Sequence, residues 1–434
     1  MKVLLLTFSF RPLNNPRAFR WSLLADELVR QGHHVDVVTS FVPGEPEIER
    51  AGLLTIYRVG WSFVERLRAR NRKRRATMRS AQNHVDPVVG TVLSRFRGAL
   101  SGIATRLWRA LLWPDASCLW YPPARLTALA LMARYHHDVM VSISPAFTGV
   151  VVGHAVKARY PTVRWVLDMG DPFSFLEGAP PNNHRIYGRL NHRYERAAFA
   201  AAEEISVTNP QTRDRYEQIF PESRGKIRVI PPLLSLPVGL AERAGRVGML
   251  VYVGTLYRSI REPGYLLELF TRAISSGLST QAELHFVGDV SSCIDLIHPY
   301  QSRLGKRLKV HGQVSRDAAA RAMAEAEVLI NIGNDTTYQL PSKVVEYLAS
   351  GKRILNLAKT PQDSSALFFS DYPYAMNLIV TGKTPSESEV GRFVNFVSSP
   401  PSQVGDLDLA DRLLPYQAPQ VVAEYLRLLS PSLA

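Results

Sequence analysis

MKVLLLTFSFRPLNNPRAFRWSLLADELVRQGHHVDVVTS, residues 1–40, decides the fold class. VLLLTF is a continuous apolar run, the pattern of a parallel strand covered on both faces. FRPLNNPR holds turn formers. Beyond it, Trp21, Leu24, Leu28 and Val29 mark one face of a helix. Gly32 caps that helix, and HHVDVVTS is a second strand. Strand, helix and strand in this order make a βαβ unit, which implies a doubly wound sheet. The apolar opening resembles a short signal peptide, but Arg11-Pro12 ends it and no small-residue cleavage site follows. It reads as a buried first strand.

Similar units continue along the chain. DVMVSIS (138–144) is a strand, with a helix over 148–159, and RWVL (164–167) is a strand ending at DMGDPF. A helix over 189–202 leads to the strand ISVT, and IRVIPPL ends the first half. Residues 236–248 look like a linker. MLVYVGTLY then starts a second series, with Leu266, Leu267 and Phe270 marking a helix after it. ELHFVGD, LKVHGQV and EVLINIG are strands; 316–324 is helical between the last two. Residues 342–350 form a helix closed by Gly351, RILNLA is the next strand, and VVAEYLRLL is a helix near the end.

The chain has 434 residues, 46% of them hydrophobic and 21% charged, enough for two cores. Cys118 and Cys293 are far apart and suggest no disulfide framework, which fits a reducing compartment. No stretch is long and apolar enough for a spanning helix. Residues 139–156 lack charge, but Ser142, Ser144, Pro145 and Gly149 interrupt them. The formal net charge is +14, and residues 66–109 hold twelve Lys and Arg against Asp86 alone. Such a cluster points to an anionic surface, membrane or nucleic acid.

The strongest chemical signal is in the second half. GTLYRSIREP follows one strand and PSKVVEYLASGKRIL follows another. In an open α/β sheet, ligands bind beyond the carboxyl ends of strands. The first segment offers Gly254 for close backbone approach, with Arg258 and Arg261 as cations. The second offers free N–H groups at a helix N-terminus, beside Ser342 and Lys343. A diphosphate needs backbone donors, a favourable helix dipole and fixed positive charge. Glu346, one turn in, can accept both hydroxyl protons of a ribose. Taken singly, the arginines read equally as solvated loop residues, Ser342 as an N-cap and Glu346 as a complement to the helix dipole. In the first half, Asp171 sits in DMGDPF at the end of a strand, placed to orient an acceptor hydroxyl or take its proton. Asp168 reads better as a cap of the next turn. His154, alone on a helix, reads as structural. No Cys/His cluster has metal-ligand spacing, and no Ser-His-Asp pattern stands out. With no G-x-G-x-x-G after the first strand, a nicotinamide enzyme is disfavoured.

LPSKVVEYLASGKRIL resembles the donor-binding segment of glycosyltransferase family 4, whose members have the GT-B fold. VYVGTLYRSIREP resembles that family's strand-loop with phosphate-binding cations. FSFRPLNNPRAFRWSLLADELVRQGHHVDVVTS resembles its N-terminal acceptor domain, as do WPDASCLW, VSISPAF and WVLDMGDPF. The likeness covers most of the chain outside the basic insert and the last sixty residues. It implies a retaining transferase that uses a nucleotide-diphosphate sugar, with no cofactor and no catalytic metal. Glu346 matches the second glutamate of the family's paired-glutamate motif. Tyr338 stands where the first is expected, with Asp335 as a nearby substitute. Asn14-Asn15-Pro16 replaces the expected N-terminal glycine pair, and Arg17 and Arg20 compensate by contacting phosphate on the acceptor side.

In the basic insert, residues 92–113 place Leu93, Phe96, Leu100, Ile103, Leu107 and Leu111 at helical spacing. Four arginines lie between them, and Trp108 and Trp113 sit near the end. This is the composition of a helix lying in a membrane interface; a core helix with a basic outer side is the plainer alternative. Nucleic-acid binding lacks a recognisable module. The expected architecture is α/β GT-B, two facing Rossmann-like domains with parallel sheets and an interdomain cleft. Residues 1–235 form the acceptor domain, with its insert at about 62–113. Residues 236–413 form the donor domain, and 414–434 a helix packing back on the first. The expected function is glycosyl transfer to a lipid-linked acceptor or growing surface glycan, at the cytoplasmic face of a membrane touched by residues 66–113. A sugar-nucleotide 2-epimerase and a non-catalytic sugar-nucleotide scaffold remain open.

Overall fold

The computed structural model describes residues 1–13, 15–61, 112–176, 180–234, 245–258, 260–399 and 406–430. The basic insert, apart from Leu112 and Trp113, lies outside the described residues, and so do Asn14 and most of the expected linker. The chain divides into two compact units. Unit 1 is Met1–Pro231 with Ala418–Ala434, and unit 2 is Pro232–Gln417.

Unit 1 is built on an eight-stranded sheet. Its strands are β1 (Lys2–Leu6), β2 (His34–Ser40), β3 (Ile48–Ala51), β4 (Leu54–Val59), β5 (Val139–Ser144), β6 (Arg164–Met169), β7 (Glu204–Val207) and β8 (Ile227–Val229). Their order is β3-β4-β2-β1-β5-β6-β7-β8, parallel throughout except for the antiparallel β3–β4 pair. Around the sheet run α1 (Pro16–Arg30), α2 (Tyr121–Tyr135), α3 (Thr148–Arg159), α4 (His184–Ala201), α5 (Pro210–Ile219) and the C-terminal α13 (Ala418–Leu429). Val3 to Leu6 are fully buried, as a strand with helices on both faces requires. The first helix starts where Asn15 accepts a bond from the Ala18 N–H and Pro16 supplies a fixed φ. It stops at Gln31–Gly32, where Gly32 turns to φ 85°. The β3–β4 hairpin was not anticipated from the sequence: IERA and LTIYRV carry arginines inside short runs, and the buried Arg58 hides among them.

Unit 2 holds β9 (Met249–Val253), β10 (Glu283–Val287), β11 (Leu308–Gly312), β12 (Val328–Ile332), β13 (Arg353–Ala358) and β14 (Ala375–Ile379). They form one parallel sheet in the order β11-β10-β9-β12-β13-β14. Its helices are α6 (Gly264–Ser275), α7 (Ile294–Leu304), α8 (Arg316–Glu325), α9 (Lys343–Ala349), α10 (Ser364–Phe368), α11 (Glu387–Ser398) and α12 (Asp406–Leu413). Residues of β9 alternate between two cores: Leu250 and Tyr252 join Ile330 and Leu355, while Met249 and Val251 join Leu329 and Ile354. Strand order reverses direction between β1 and β5 in unit 1, and between β9 and β12 in unit 2. At such a switch point the following connections part to opposite faces and leave a crevice beyond the strand ends. No helix among the described residues is long and apolar enough to cross a membrane.

Candidate functional site

In unit 2 the crevice beyond β9 gathers four of the expected donor-side residues. Gly254 follows β9 directly at φ 135°, a conformation reserved in practice for glycine. Its N–H donates to the Val287 carbonyl at 2.8 Å. A Cβ on the neighbouring Gly288 would fall 2.1 Å from the Gly254 carbonyl oxygen, so the two strand ends approach through paired glycines. Lys343, first residue of α9, reaches back to this point. Its Nζ donates to the Val253 carbonyl at 3.0 Å and lies 3.8 Å from the centre of the Tyr252 ring. Burial, then the neighbouring Arg261 cation, push this ammonium well below the usual lysine range, against a partial pull from Glu346. Arg261 itself donates from Nε to Asn334 Oδ1 at 2.7 Å, beyond the end of β12, and borders the Tyr252 hydroxyl. Gly254, Arg261, Lys343 and Glu346 therefore form one cluster of cations, backbone and one carboxylate.

The other expected residues are placed differently. Arg258 is exposed and forms an ion pair with Asp295 while pointing Nε at the Ser292 carbonyl at 3.4 Å. Ser342 is exposed and makes no side-chain capping bond, so the plain N-cap role is not what its hydroxyl does. Glu346 is half-buried with Arg316 3.7 Å away. Asp335 pairs with Lys359 at 3.2 Å, both side chains largely exposed. Tyr338 is buried.

In unit 1 the expected acceptor-side residues gather at the carboxyl end of β6. Asp168 is not the turn cap that its neighbours in sequence suggest: it is buried and central. Its Oδ2 accepts from Arg17 Nη1 at 2.9 Å and Trp21 Nε1 at 2.7 Å. Its Oδ1 accepts from Ser206 Oγ at 2.9 Å and the Tyr425 hydroxyl at 2.8 Å. Burial alone would raise this carboxyl; Arg17 and Arg20 outweigh it and hold it below the ordinary range. Arg20, expected on the acceptor surface, is instead buried. Its Nη1 donates to the Pro231 carbonyl at 2.8 Å and its Nη2 to the Tyr425 hydroxyl at 3.1 Å. It fastens α13 to the rest of unit 1 and offers no free edge. Arg17 is more open. It lies so close over the turn that a Cβ on Gly170 would meet its Nη2 at 1.1 Å.

Asp171 follows Gly170 and is half-buried. The backbone just beyond it is held by Glu195 of α4, which the sequence did not single out. Its carboxylate accepts from the Phe173 and Ser174 N–H groups and from the Tyr216 hydroxyl, each at 2.9 Å. Burial raises this carboxyl despite those bonds. Phe173 is further fixed by a parallel stack on Phe147 at 3.7 Å. His154 sits 6.0 Å from the Trp165 ring, its pKa lowered by burial, with packing as its surroundings. Among the described residues, no group of three or more His, Cys, Asp or Glu could hold a metal ion.

No curated protein matches the chain. Among solved structures, the chain is similar to the UDP-forming trehalose-phosphate synthase of Burkholderia xenovorans in complex with glucose-6-phosphate. The identity is 10%, coverage is 99% of this chain and 100% of that one, and the TM-score is 0.65. It is also similar to the sucrose-phosphate synthase of Thermosynechococcus elongatus, with 14% identity, 99% and 94% coverage and a TM-score of 0.58. A third likeness is to Anabaena HepE in complex with UDP-glucose, with 12% identity, 98% and 99% coverage and a TM-score of 0.51. At these identities the likeness shows the fold, GT-B. The model of the family described as Glycosyltransferase Family 4 matches residues 21–236. The chain belongs to glycosyltransferase family 4 and is a glycosyltransferase with the GT-B fold.

Proposed function

We propose that the protein moves a sugar from a nucleotide-diphosphate sugar to a lipid-linked acceptor or growing surface glycan, with retention of configuration and without a bound metal. The observation that carries this is the cluster beyond β9. Gly254 opens the backbone there, and Lys343 and Arg261 bring two cations to a crevice with one carboxylate nearby. A leaving diphosphate develops negative charge, and fixed cations with free backbone N–H groups stabilise it without reorganising. Glu346 holds the ribose hydroxyls. Arg258 joins when the ligand arrives: its exposed pair with Asp295 is worth little and is easily exchanged for a phosphate. The neighbour HepE holds UDP-glucose, which is the ligand class these residues suit.

Asp171 orients the acceptor hydroxyl, and the exposed edge of Arg17 meets an anionic group on the acceptor. Retention follows from the family likeness. The acceptor class follows from the basic insert at residues 66–113, which suits an anionic membrane surface at the cytoplasmic face. The sugar-nucleotide site is tested by calorimetric titration of UDP, GDP, ADP and dTDP on wild type and Glu346→Ala. One nucleotide binds the wild type, and the substitution weakens it by at least about tenfold, the loss of a charged hydrogen-bond acceptor. If the folded wild type binds none of the four, the donor site is lost and with it the transferase reading of this crevice.

One observation favours a second reading. Tyr338 is buried where the family pattern has a glutamate, so a carboxylate for the donor sugar is missing at that position. A non-catalytic sugar-nucleotide binder would take up the nucleotide sugar and release it unchanged over any lipid acceptor; turnover removes that reading.

A further inference from the structure

We infer that α4 carries a second membrane contact, a preformed face for an anionic phospholipid surface, on residues separate from the basic insert. The inference deepens the membrane reading above and stands on a different observation. Successive residues of an α-helix are about 100° apart, so i, i+4 residues form ridges. Arg185, Arg189 and Arg193 make one ridge of α4, and all three are exposed. Ile186, Leu190 and Tyr194 make the adjacent ridge. Ile186 is 62% and Leu190 37% exposed, side by side on a helix that buries its other side well.

That other side is occupied by Asn191, Glu195, Ala198 and Phe199. Glu195 is the only carboxylate of the helix and points inward to the Phe173–Ser174 backbone. The outer arc therefore carries no acid. Arg196 is paired with Glu222, whereas Arg185, Arg189 and Arg193 make no ion pair with any described residue. A row of unpaired guanidinium groups beside a row of exposed aliphatic side chains complements an anionic bilayer. The cations meet headgroup phosphates while Ile186 and Leu190 enter the apolar boundary.

The position of the helix agrees. Trp113, where the chain returns from the insert, stands edge-on to Tyr194 at 4.6 Å and donates from its indole to Asn191 Oδ1 at 3.1 Å. Asn182, just before the helix, donates to the Pro114 carbonyl at 2.7 Å. The apolar ridge of α4 thus runs up to an indole at the root of a segment with twelve basic residues and one acid. An indole beside an aliphatic ridge is the composition of a membrane boundary.

The test is sedimentation of the full chain with vesicles of phosphatidylcholine, with and without phosphatidylglycerol. Wild type is compared with Arg185→Gln/Arg189→Gln/Arg193→Gln, with the same three changed to Lys, with Ile186→Ser/Leu190→Ser, and with an insert variant, Arg72→Gln/Lys73→Gln/Arg74→Gln/Arg75→Gln. Each headgroup-facing cation is worth about fivefold in binding, so the Gln triple loses at least roughly tenfold on anionic vesicles. The Lys triple keeps its binding, because point charges suffice for headgroups, and the Ser pair loses binding too. Urea denaturation gives every α4 variant the wild-type midpoint, which shows that unit 1, the unit that carries α4, is intact. A Gln triple that binds anionic vesicles like wild type overturns the inference. If the insert variant alone then loses binding, the insert reading survives without it. Wild type that binds no vesicle overturns both readings. Wild type that prefers an oligonucleotide to anionic vesicles, and loses that preference in the Gln triple, assigns the face to nucleic acid instead.

Discussion

The end of β6 in unit 1 and the crevice after β9 in unit 2 both lie at the carboxyl ends of parallel strands, yet they treat charge in opposite ways. At the end of β6 each of the two buried acids is saturated. Asp168 takes bonds from Arg17, Trp21, Ser206 and Tyr425, and Glu195 takes them from Phe173, Ser174 and Tyr216. After β9 the enclosed charge is a cation with one carbonyl and an aromatic face for company, and a second cation close by. The first arrangement spends its ionic groups on rigidity. The second sets two cations against one carboxylate, Glu346, and so keeps the excess of positive charge that a site for an arriving anion requires.

The largest expected effect breaks the two apart by substitution. Asp168→Ala leaves Arg17 without its carboxylate and removes the anion beside the buried Arg20. Taking one partner from a buried ion pair costs about 3–5 kcal/mol, and urea denaturation should show a loss of that size. Lys343→Met removes an ammonium that burial and Arg261 already disfavour. An apolar group of similar shape should leave stability unchanged or slightly raised, while nucleotide binding falls. Equal loss of stability in both variants would mean that the lysine is as much a structural ion as the aspartate, and the contrast would collapse.

Tyr425→Phe sharpens the contrast at smaller scale. The hydroxyl donates to Asp168 Oδ1 and accepts from Arg20 Nη2, while the ring packs on Trp21 at 5.0 Å. Phenylalanine keeps the packing and leaves one buried donor without its acceptor, at a cost of about 1–3 kcal/mol. Urea denaturation of this variant should give a midpoint between wild type and Asp168→Ala. A midpoint at the wild-type value would show that this hydroxyl adds nothing to the attachment of α13.

How much of this was legible depended on the distance over which each residue finds its partners. The βαβ opening is local, since a short apolar run bounded by turn formers is the pattern of a strand covered on both faces, and VLLLTF is buried as that pattern requires. Gly254 and Lys343 could be named from position, because strand ends and a helix start are written in their own neighbourhoods. Asp168 and Asp171 could not be sorted, because the groups that bury Asp168 come from positions 17, 21, 206 and 425. Glu195 and Arg20 were misjudged or passed over for the same reason: a charged residue on a helix reads as solvated until its tertiary partner is known. Ser342 shows the converse, a residue whose local signature as a cap is strong and whose hydroxyl the helix does not use.

The finest test concerns a single proton. The Lys343 ammonium lies well below the usual lysine range in the free protein, and a bound diphosphate, as a nearby anion, must raise it. A group whose pKa is higher in the complex takes up a proton on binding. Affinity is then constant below the free-state pKa and falls as pH rises from that value to the bound-state pKa. A nucleotide-diphosphate sugar is the right probe, because its two phosphates are esterified and do not titrate near neutrality. Calorimetry in two buffers of different ionisation enthalpy should give different apparent binding enthalpies in that window, with uptake of up to about one proton. Lys343→Met should remove the difference while leaving weaker binding through Arg261. Enthalpies independent of buffer in the wild type would mean that the lysine is already charged before the ligand arrives. The crevice of unit 2 would then hold its cation as firmly as unit 1 holds its carboxylates, and the difference between the two sites would be one of sign only.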